Sequence, residues 1–208
     1  MTPRERNVGT YDRISRAFLA SLLLVAGRYW VSMDWQILLY LMALLLVIEA
    51  ATSSCGLYSL FKVNTCERVK TRGQRQTMLI SLFLIVMILV VGSAISSMMT
   101  RQAFLDDVLS MEQELSRALN ATYPGATNPV AAFEDLNRTS GAFADKYSHY
   151  RPVIIRSDSS FAGDLQNISS IMTRARPVFY SGNLTSGRAA LQPMVSVLQE
   201  MLDRNGLG

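Results

Sequence analysis

The sequence predicts an all-α protein: three transmembrane helices, arranged as an N-terminal hairpin plus a third helix, followed by a soluble, exported four-helix bundle. Three observations predict it. Apolar residues concentrate before Met99, and the remainder of the 208 residues has the polarity of a soluble domain. Up to Gln76 there are ten Lys/Arg against five Asp/Glu, whereas from Arg101 onward the tally is ten against eleven. Beyond Arg101 the apolar residues recur at helical spacing and are interrupted by Pro and Gly. This places a transmembrane hairpin with cytoplasmic flanks at 1–76, a third transmembrane helix at 77–99 and the exported bundle at 100–208.

The first apolar run is Ala17 to Val31. It is short, because about 20 residues span the hydrocarbon core. Extension back through Ile14 and snorkelling of Arg28 supply the missing length. Ser32, Met33 and Asp34 form a tight turn, and Trp35 to Thr52 is the second run. A single re-entrant segment would leave Arg28 and Asp34 in mid-membrane, whereas a hairpin puts both at one interface. Arg28, Trp30 and Trp35 are then interface anchors, the two indoles settling where amphipathic rings are favoured. Met78 to Met98 carries no charge and is the third span. Only helix formation satisfies its backbone amides in lipid.

Orientation follows from the basic residues. Arg4, Arg6, Arg13 and Arg16 precede the first span, and Lys62, Arg68, Lys70, Arg72 and Arg75 lie between the second and third. The hairpin tip has Arg28 alone. The positive-inside rule therefore puts the N-terminus and the 53–76 segment in the cytoplasm and the C-terminal domain on the far side.

In that domain a first helix is expected near Ala103 to Asn120, with Leu105, Val108, Leu109, Met111, Leu115 and Leu119 inward. Tyr123, Pro124 and Gly125 break it. Asn128 and Pro129 have the order of an N-cap followed by proline in the first turn, and the second helix runs to about Tyr150. A third covers Ser160 to Tyr180, with Pro177 expected to kink or shorten its end. A fourth runs from Thr185 to Asn205 and Gly206. Four such helices with short loops suggest an up-down bundle, and its first helix can continue straight from the third span.

The chemistry-bearing residues are few. Glu49 sits inside the second span near its cytoplasmic end. A carboxylate in hydrocarbon is costly and often functional, but this one is about a helical turn from water. A proton relay would need a second intramembrane polar partner, and the third span offers only Ser93, Ser96 and Ser97. Helix–helix or subunit contact is the better reading. Cys55 and Cys66 form a candidate thiol pair on the cytoplasmic side, where a resting disulfide is not expected. Their spacing is neither CxxC nor a complete metal site. They either carry sulfane sulfur or sense oxidation, with Lys62, Arg68 and Lys70 favouring thiolate, or they pack a turn at the bilayer surface. His149 is the only histidine; without CxxCH or an ExxH pair, neither covalent haem nor a di-iron site is expected. No Ser-His-Asp set, P-loop or GxGxxG occurs. No catalytic residue, metal or cofactor is therefore assigned. Nucleic acid is not an expected partner, because no basic helix is interleaved with aromatics. Asn120, Asn137, Asn167 and Asn183 head N-x-S/T triplets, which would be glycan acceptors only in a eukaryotic lumen and are read as chance matches.

Two segments together resemble a known family. NVGTYDRISR, from Asn7 to Arg16, and CGLYSLFKVNTC, from Cys55 to Cys66, are similar to the two ends of the YgaP-like transmembrane domain. That domain is a small inner-membrane hairpin often joined to rhodanese or other sulfur-handling modules. The resemblance spans roughly residues 5–68. It departs at Gly56, where proline usually follows the first cysteine, at Lys62, which replaces a usual glycine, and at Glu49, which stands where an uncharged residue is usual. No rhodanese domain is present. The resemblance implies the hairpin, a bacterial inner membrane and dimerisation; it carries over no sulfurtransferase activity. The expected protein is a non-catalytic, membrane-anchored interaction protein, an accessory or structural subunit of a larger membrane complex. Its partners are the lipid bilayer and a protein partner or second copy, engaged through the spans and the bundle. The alternatives are a ligand-sensing membrane protein and a sulfur or redox relay through Cys55 and Cys66.

Overall fold

The computed structural model describes residues 8–52 and 74–207, the side chains of residues 74–77 apart. Helices account for nearly all of it. They fall into two compact units, 1–98 and 99–208.

The first unit opens with α1, Thr10–Tyr29, and α2, Met33–Thr52. The Arg13 amide donates to Gly9 O at 3.0 Å, so α1 starts a full turn and more before the apolar run. Charge does not delay a helix; it only delays the apolar pattern. The turn is correspondingly tight. Trp30 N donates to Ala26 O at 2.9 Å and Gln36 N to Ser32 O at 3.1 Å. The hairpin is antiparallel, since the start of α1 meets the end of α2 and Gly27 meets Gln36 and Tyr40. The buried positions are small: Ala20, Ser21 and Gly27 on α1, Ala43 on α2. A Cβ on Gly27 would lie 2.9 Å from Tyr40 Cε1, so glycine permits the close approach. The large apolar side chains turn outward instead, Ile37 at 66%, Leu45 at 61% and Phe83 at 63% exposure. That inversion is the signature of helices solvated by lipid rather than water.

The next helix is α3, Gln74–Met87, followed by a π-helical turn at Ile88–Gly92 and then α4, Ser93–Asn120. The π turn, which no periodicity announced, packs with α3 against α1. By length and composition two helices among the described residues suffice to cross a membrane, Met33–Thr52 and Met78–Asn120. By itself α1 does not meet that standard, because Asp12, Arg13, Arg16 and Arg28 fall within its 20 residues.

The unit 99–208 holds the C-terminal part of α4, then α5 (Pro129–His149), α6 (Phe161–Tyr180) and α7 (Leu184–Arg204), with a 3-10 turn at Val153–Ile155. One core draws on all four helices. Phe104, Phe143, Tyr147 and Phe161 cluster at one level, with ring centroids 4.7 to 6.3 Å apart. Phe133 stacks on Phe179 at 4.7 Å at another. The inward stripe of α4 is Phe104, Val108, Met111, Leu115 and Ala118, while Leu109 is 49% exposed. Asn128 precedes α5 in the left-handed region, φ 61°, and makes no side-chain cap. Its carbonyl accepts instead from Ala132 N at 3.3 Å. Pro177 does not stop α6, which continues to Tyr180, and Pro193 is likewise tolerated inside α7. Gly206, φ 64°, closes α7 with Leu207 N donating to Leu202 O at 2.9 Å. This is the left-handed ending that glycine makes cheap.

Candidate functional site

Within the 1–98 unit the polar groups collect at the two ends of the hairpin. At the end formed by the start of α1 and the finish of α2, Arg16 bridges two carboxylates. Its Nε lies 2.9 Å from Asp12 Oδ1, and its Nη1 donates to Glu49 Oε2. Both side chains of the Arg16–Glu49 pair are largely covered, at 14% and 23% exposure. Arg13 Nε adds a hydrogen bond to the Ala50 carbonyl. Glu49 thus has its countercharge on the neighbouring helix of the same hairpin, which is how a carboxylate survives near hydrocarbon. Ser96 of α4 lies at the opposite end, accepting from Trp30 Nε1 at 3.1 Å.

That opposite end holds Arg28 and Trp30 together. Gln36 Nε2 donates to Gly27 O at 2.8 Å and to Tyr40 Oη at 2.9 Å, capping α1 from α2. Arg28 lines an open groove shared with Tyr29, Tyr40 and Ser93. Trp35 is 63% and Trp30 50% exposed. Cys55 and Cys66 lie outside the described residues. The partners that sequence reasoning missed are Arg16 for Glu49 and Ser96 for Trp30. The first was recoverable, since counting outward in equal steps from the turn brings Arg16 within a helical turn of Glu49. The second needed the third helix to be docked.

In the 99–208 unit the densest polar cluster joins the start of α6 to the end of α7. Arg204 Nη2 donates to Asp164 Oδ2, and its Nε lies 3.4 Å from Asp158 Oδ2. Asn205 Nδ2 donates to Asp158 Oδ2 at 2.9 Å, and the Ser160 amide to its Oδ1 at 2.9 Å. Burial pushes the Asp158 carboxyl up, but the Asn205 and Ser160 hydrogen bonds and the Arg204 charge outweigh it, so its pKa falls below the ordinary range. For Asp164 burial wins over Arg204, with Asp158 and Glu200 adding repulsion, and its pKa rises. On another face Tyr147 donates to Asp107 Oδ2 at 2.6 Å; burial first and that carboxylate second raise its phenol. Arg188 lies 4.0 Å over the Tyr123 ring. His149 is exposed, its Nδ1 2.8 Å from Ser148 Oγ. Among the described residues no group of three or more His, Cys, Asp or Glu is placed to hold a metal ion.

These features describe a membrane-associated, largely helical protein. Residues 1–69 match the model of the family described as inner membrane protein YgaP-like, transmembrane domain, which covers a third of the chain and leaves the rest unassigned. The resemblance seen in NVGTYDRISR and CGLYSLFKVNTC is therefore real, and it agrees with an inner-membrane location. No curated protein and no solved structure matches the chain.

Proposed function

We propose that the chain is a non-catalytic interaction protein anchored by three crossings, with its N-terminus in the cytoplasm and the helical bundle of residues 99–208 in the periplasm. It acts as an accessory or structural subunit of a larger membrane complex. The observation that carries this reading is the polar layering of the 1–98 unit. Asp12, Arg13, Arg16 and Glu49 gather at one end, Arg28, Trp30 and Ser96 at the other. From Arg16 to Arg28 a helix rises only about 18 Å, against a hydrocarbon core of about 30 Å, so the two charged levels reach opposite interfaces by snorkelling of Arg28 and by the pairing of Arg16 with Glu49 and Asp12. The end nearest in sequence to Arg4, Arg6 and the basic 53–76 segment is the one that the positive-inside rule assigns to the cytoplasm. Between the ends α1 is masked by α2, its Arg16 charge countered by Glu49, so that α1 crosses as part of a hairpin although it falls short alone. The outward-facing leucines and isoleucines of α2 and α3 offer lipid or a partner's helix a continuous apolar surface.

Affinity purification of the full chain from its native membrane in mild detergent tests the subunit role. A partner present in stoichiometric amount on a native gel, and identified by mass spectrometry, is expected. A species containing this chain alone would overturn the role. Sidedness is checked separately by fusing alkaline phosphatase after Gly208: an active enzyme is expected, and a stable but inactive fusion would reverse the orientation.

A further inference from the structure

The seam between α1 and the third span holds an open groove of about 320 Å³, built in two tiers. Leu24 and Val25 on α1 and Leu89 in the π turn form an apolar wall. One helical turn further toward the hairpin tip, Arg28, Tyr29 and Ser93 line its polar end, joined by Tyr40 from α2. The tiers are in register because each helix repeats the same step. Arg28 follows Leu24 by four residues, and Ser93 follows Leu89 by four, so each polar group stands over its apolar neighbour. Trp30 and Ser96, hydrogen-bonded at 3.1 Å, hold the two helices together just beyond the polar tier. The π turn at Ile88–Gly92 brings Leu89 and Ser93 into the groove, and such turns often mark functional sites.

We propose that this groove is a binding site for one phospholipid, its phosphate against Arg28 and the hydroxyls of Ser93 and the tyrosines, its acyl chain against Leu24, Val25 and Leu89. Charge complementarity and depth select the occupant. A guanidinium matches phosphate geometry with paired N–H donors. It lies beside the tryptophan belt, the level at which lipid phosphates sit. The carbonyls that would repel an anion from the end of α1 are partly occupied: Gly27 O accepts from Gln36, and Ala26 O from the Trp30 amide at 2.9 Å. An inorganic anion would use the polar tier only and leave the apolar wall unexplained.

The test is native mass spectrometry of the full chain in detergent, titrated with phosphatidylglycerol. Wild-type protein is expected to retain a one-to-one adduct. Arg28→Gln should weaken it about tenfold, the size of one lost charge-assisted contact, whereas Arg28→Lys should retain most of it. Leu24→Trp fills the apolar tier, leaves Arg28 in place and should abolish the adduct; it also decides the matter if Arg28→Gln misfolds. Equal adducts in wild type and Leu24→Trp would overturn the proposal. So would displacement of the lipid by millimolar inorganic phosphate, which would show a site for the free anion.

Discussion

The two units solve the same problem in opposite directions. Both pack helices side by side, both tie helices with an arginine–carboxylate bridge, and both use a glycine where helices come close. Gly27 faces Tyr40 in one, and in the other a Cβ on Gly187 would lie 3.0 Å from Phe179. They differ in where the large apolar side chains go. In the 99–208 unit Phe104, Phe133, Leu198 and Met201 are fully buried; in the 1–98 unit the buried side chains are small and the large ones point outward. Water drives phenylalanine inward at about 25 cal/mol per Å² buried. Lipid gives no such push, so close packing of small residues and polar ties must hold the hairpin. The difference teaches that side-chain size at an interface reports the solvent in which the helices associate.

The largest effect should come from deleting the same ring on either side of this divide. Phe133→Ala removes a fully buried ring stacked on Phe179 and should cost about 3–5 kcal/mol. Phe83→Ala removes one that is 63% exposed and should stay within about 0.5 kcal/mol. Thermal melting of the full chain in detergent, followed by circular dichroism, measures both. Equal losses would mean that Phe83 is buried against protein and that the inversion is not lipid-driven.

The next effect concerns the ties. Arg16→Ala strands Glu49 beside hydrocarbon and should cost about 3–5 kcal/mol, the range for breaking a desolvated pair. The double variant Arg16→Ala, Glu49→Ala should recover much of that loss, because both charges leave together. For contrast, Arg138 and Asp135 form an exposed i,i+3 pair, 2.6 Å apart and 79% and 41% accessible, and Arg138→Ala should change stability by at most about 0.5 kcal/mol. Melting temperature and membrane accumulation of each variant check the ordering. A double variant as poor as Arg16→Ala alone would show that Arg16 acts through Asp12 or by packing.

Much of this architecture was legible in the sequence because it follows from local rules. The apolar runs, the turn before Trp35 and the break at Pro124–Gly125 all read directly from residue type. What escaped were features set by tertiary docking. Of the inward stripe expected on α4, Val108, Met111 and Leu115 are buried, but Phe104 joins them and Leu109 is 49% exposed, because a helix with apolar residues on adjacent lines does not announce which line will be covered. Pro177 reads as a kink or a shortened end, yet the helix keeps its full expected length to Tyr180, the loss of one backbone bond near a helix end being outweighed by burying Phe179 beyond it. Ile155 is fully buried from a three-residue turn, where no periodicity exists to reveal it. For the candidate sites, Glu49, Arg28 and Trp30 stand out in the sequence by type and depth, whereas their contacts with Arg16 and Ser96 emerge only when helices are paired, the first by counting from the turn and the second by docking α4.

The smallest effect sharpens the comparison through pH, because the carboxylates of the 99–208 unit, although largely covered, exchange protons with water rather than with lipid. Asp158 and Asp164 share Arg204, which stays charged throughout, yet they shift in opposite senses. The depressed pKa of Asp158 means that its contribution to stability is present above the ordinary value of 3.8 and is lost as pH falls through the lower folded value. The raised pKa of Asp164 works in reverse: the folded state binds its proton more readily than the unfolded chain, so stability rises slightly as pH falls from neutral toward 3.8. The 99–208 unit should therefore gain a little on mild acidification and then lose stability below about pH 4. Asp164→Asn should flatten the first limb and leave the second. Asp158→Asn should flatten the second, at the cost of the Ser160 and Arg204 contacts at neutral pH. Melting temperatures of the full chain and both variants between pH 7 and 3 distinguish them. If the Asp158→Asn curve runs parallel to wild type below pH 4, the Asp158–Asn205–Arg204 knot is not what ties α7 to the start of α6, and the apolar core residues of α7, Leu191, Met194, Leu198 and Met201, must do so alone.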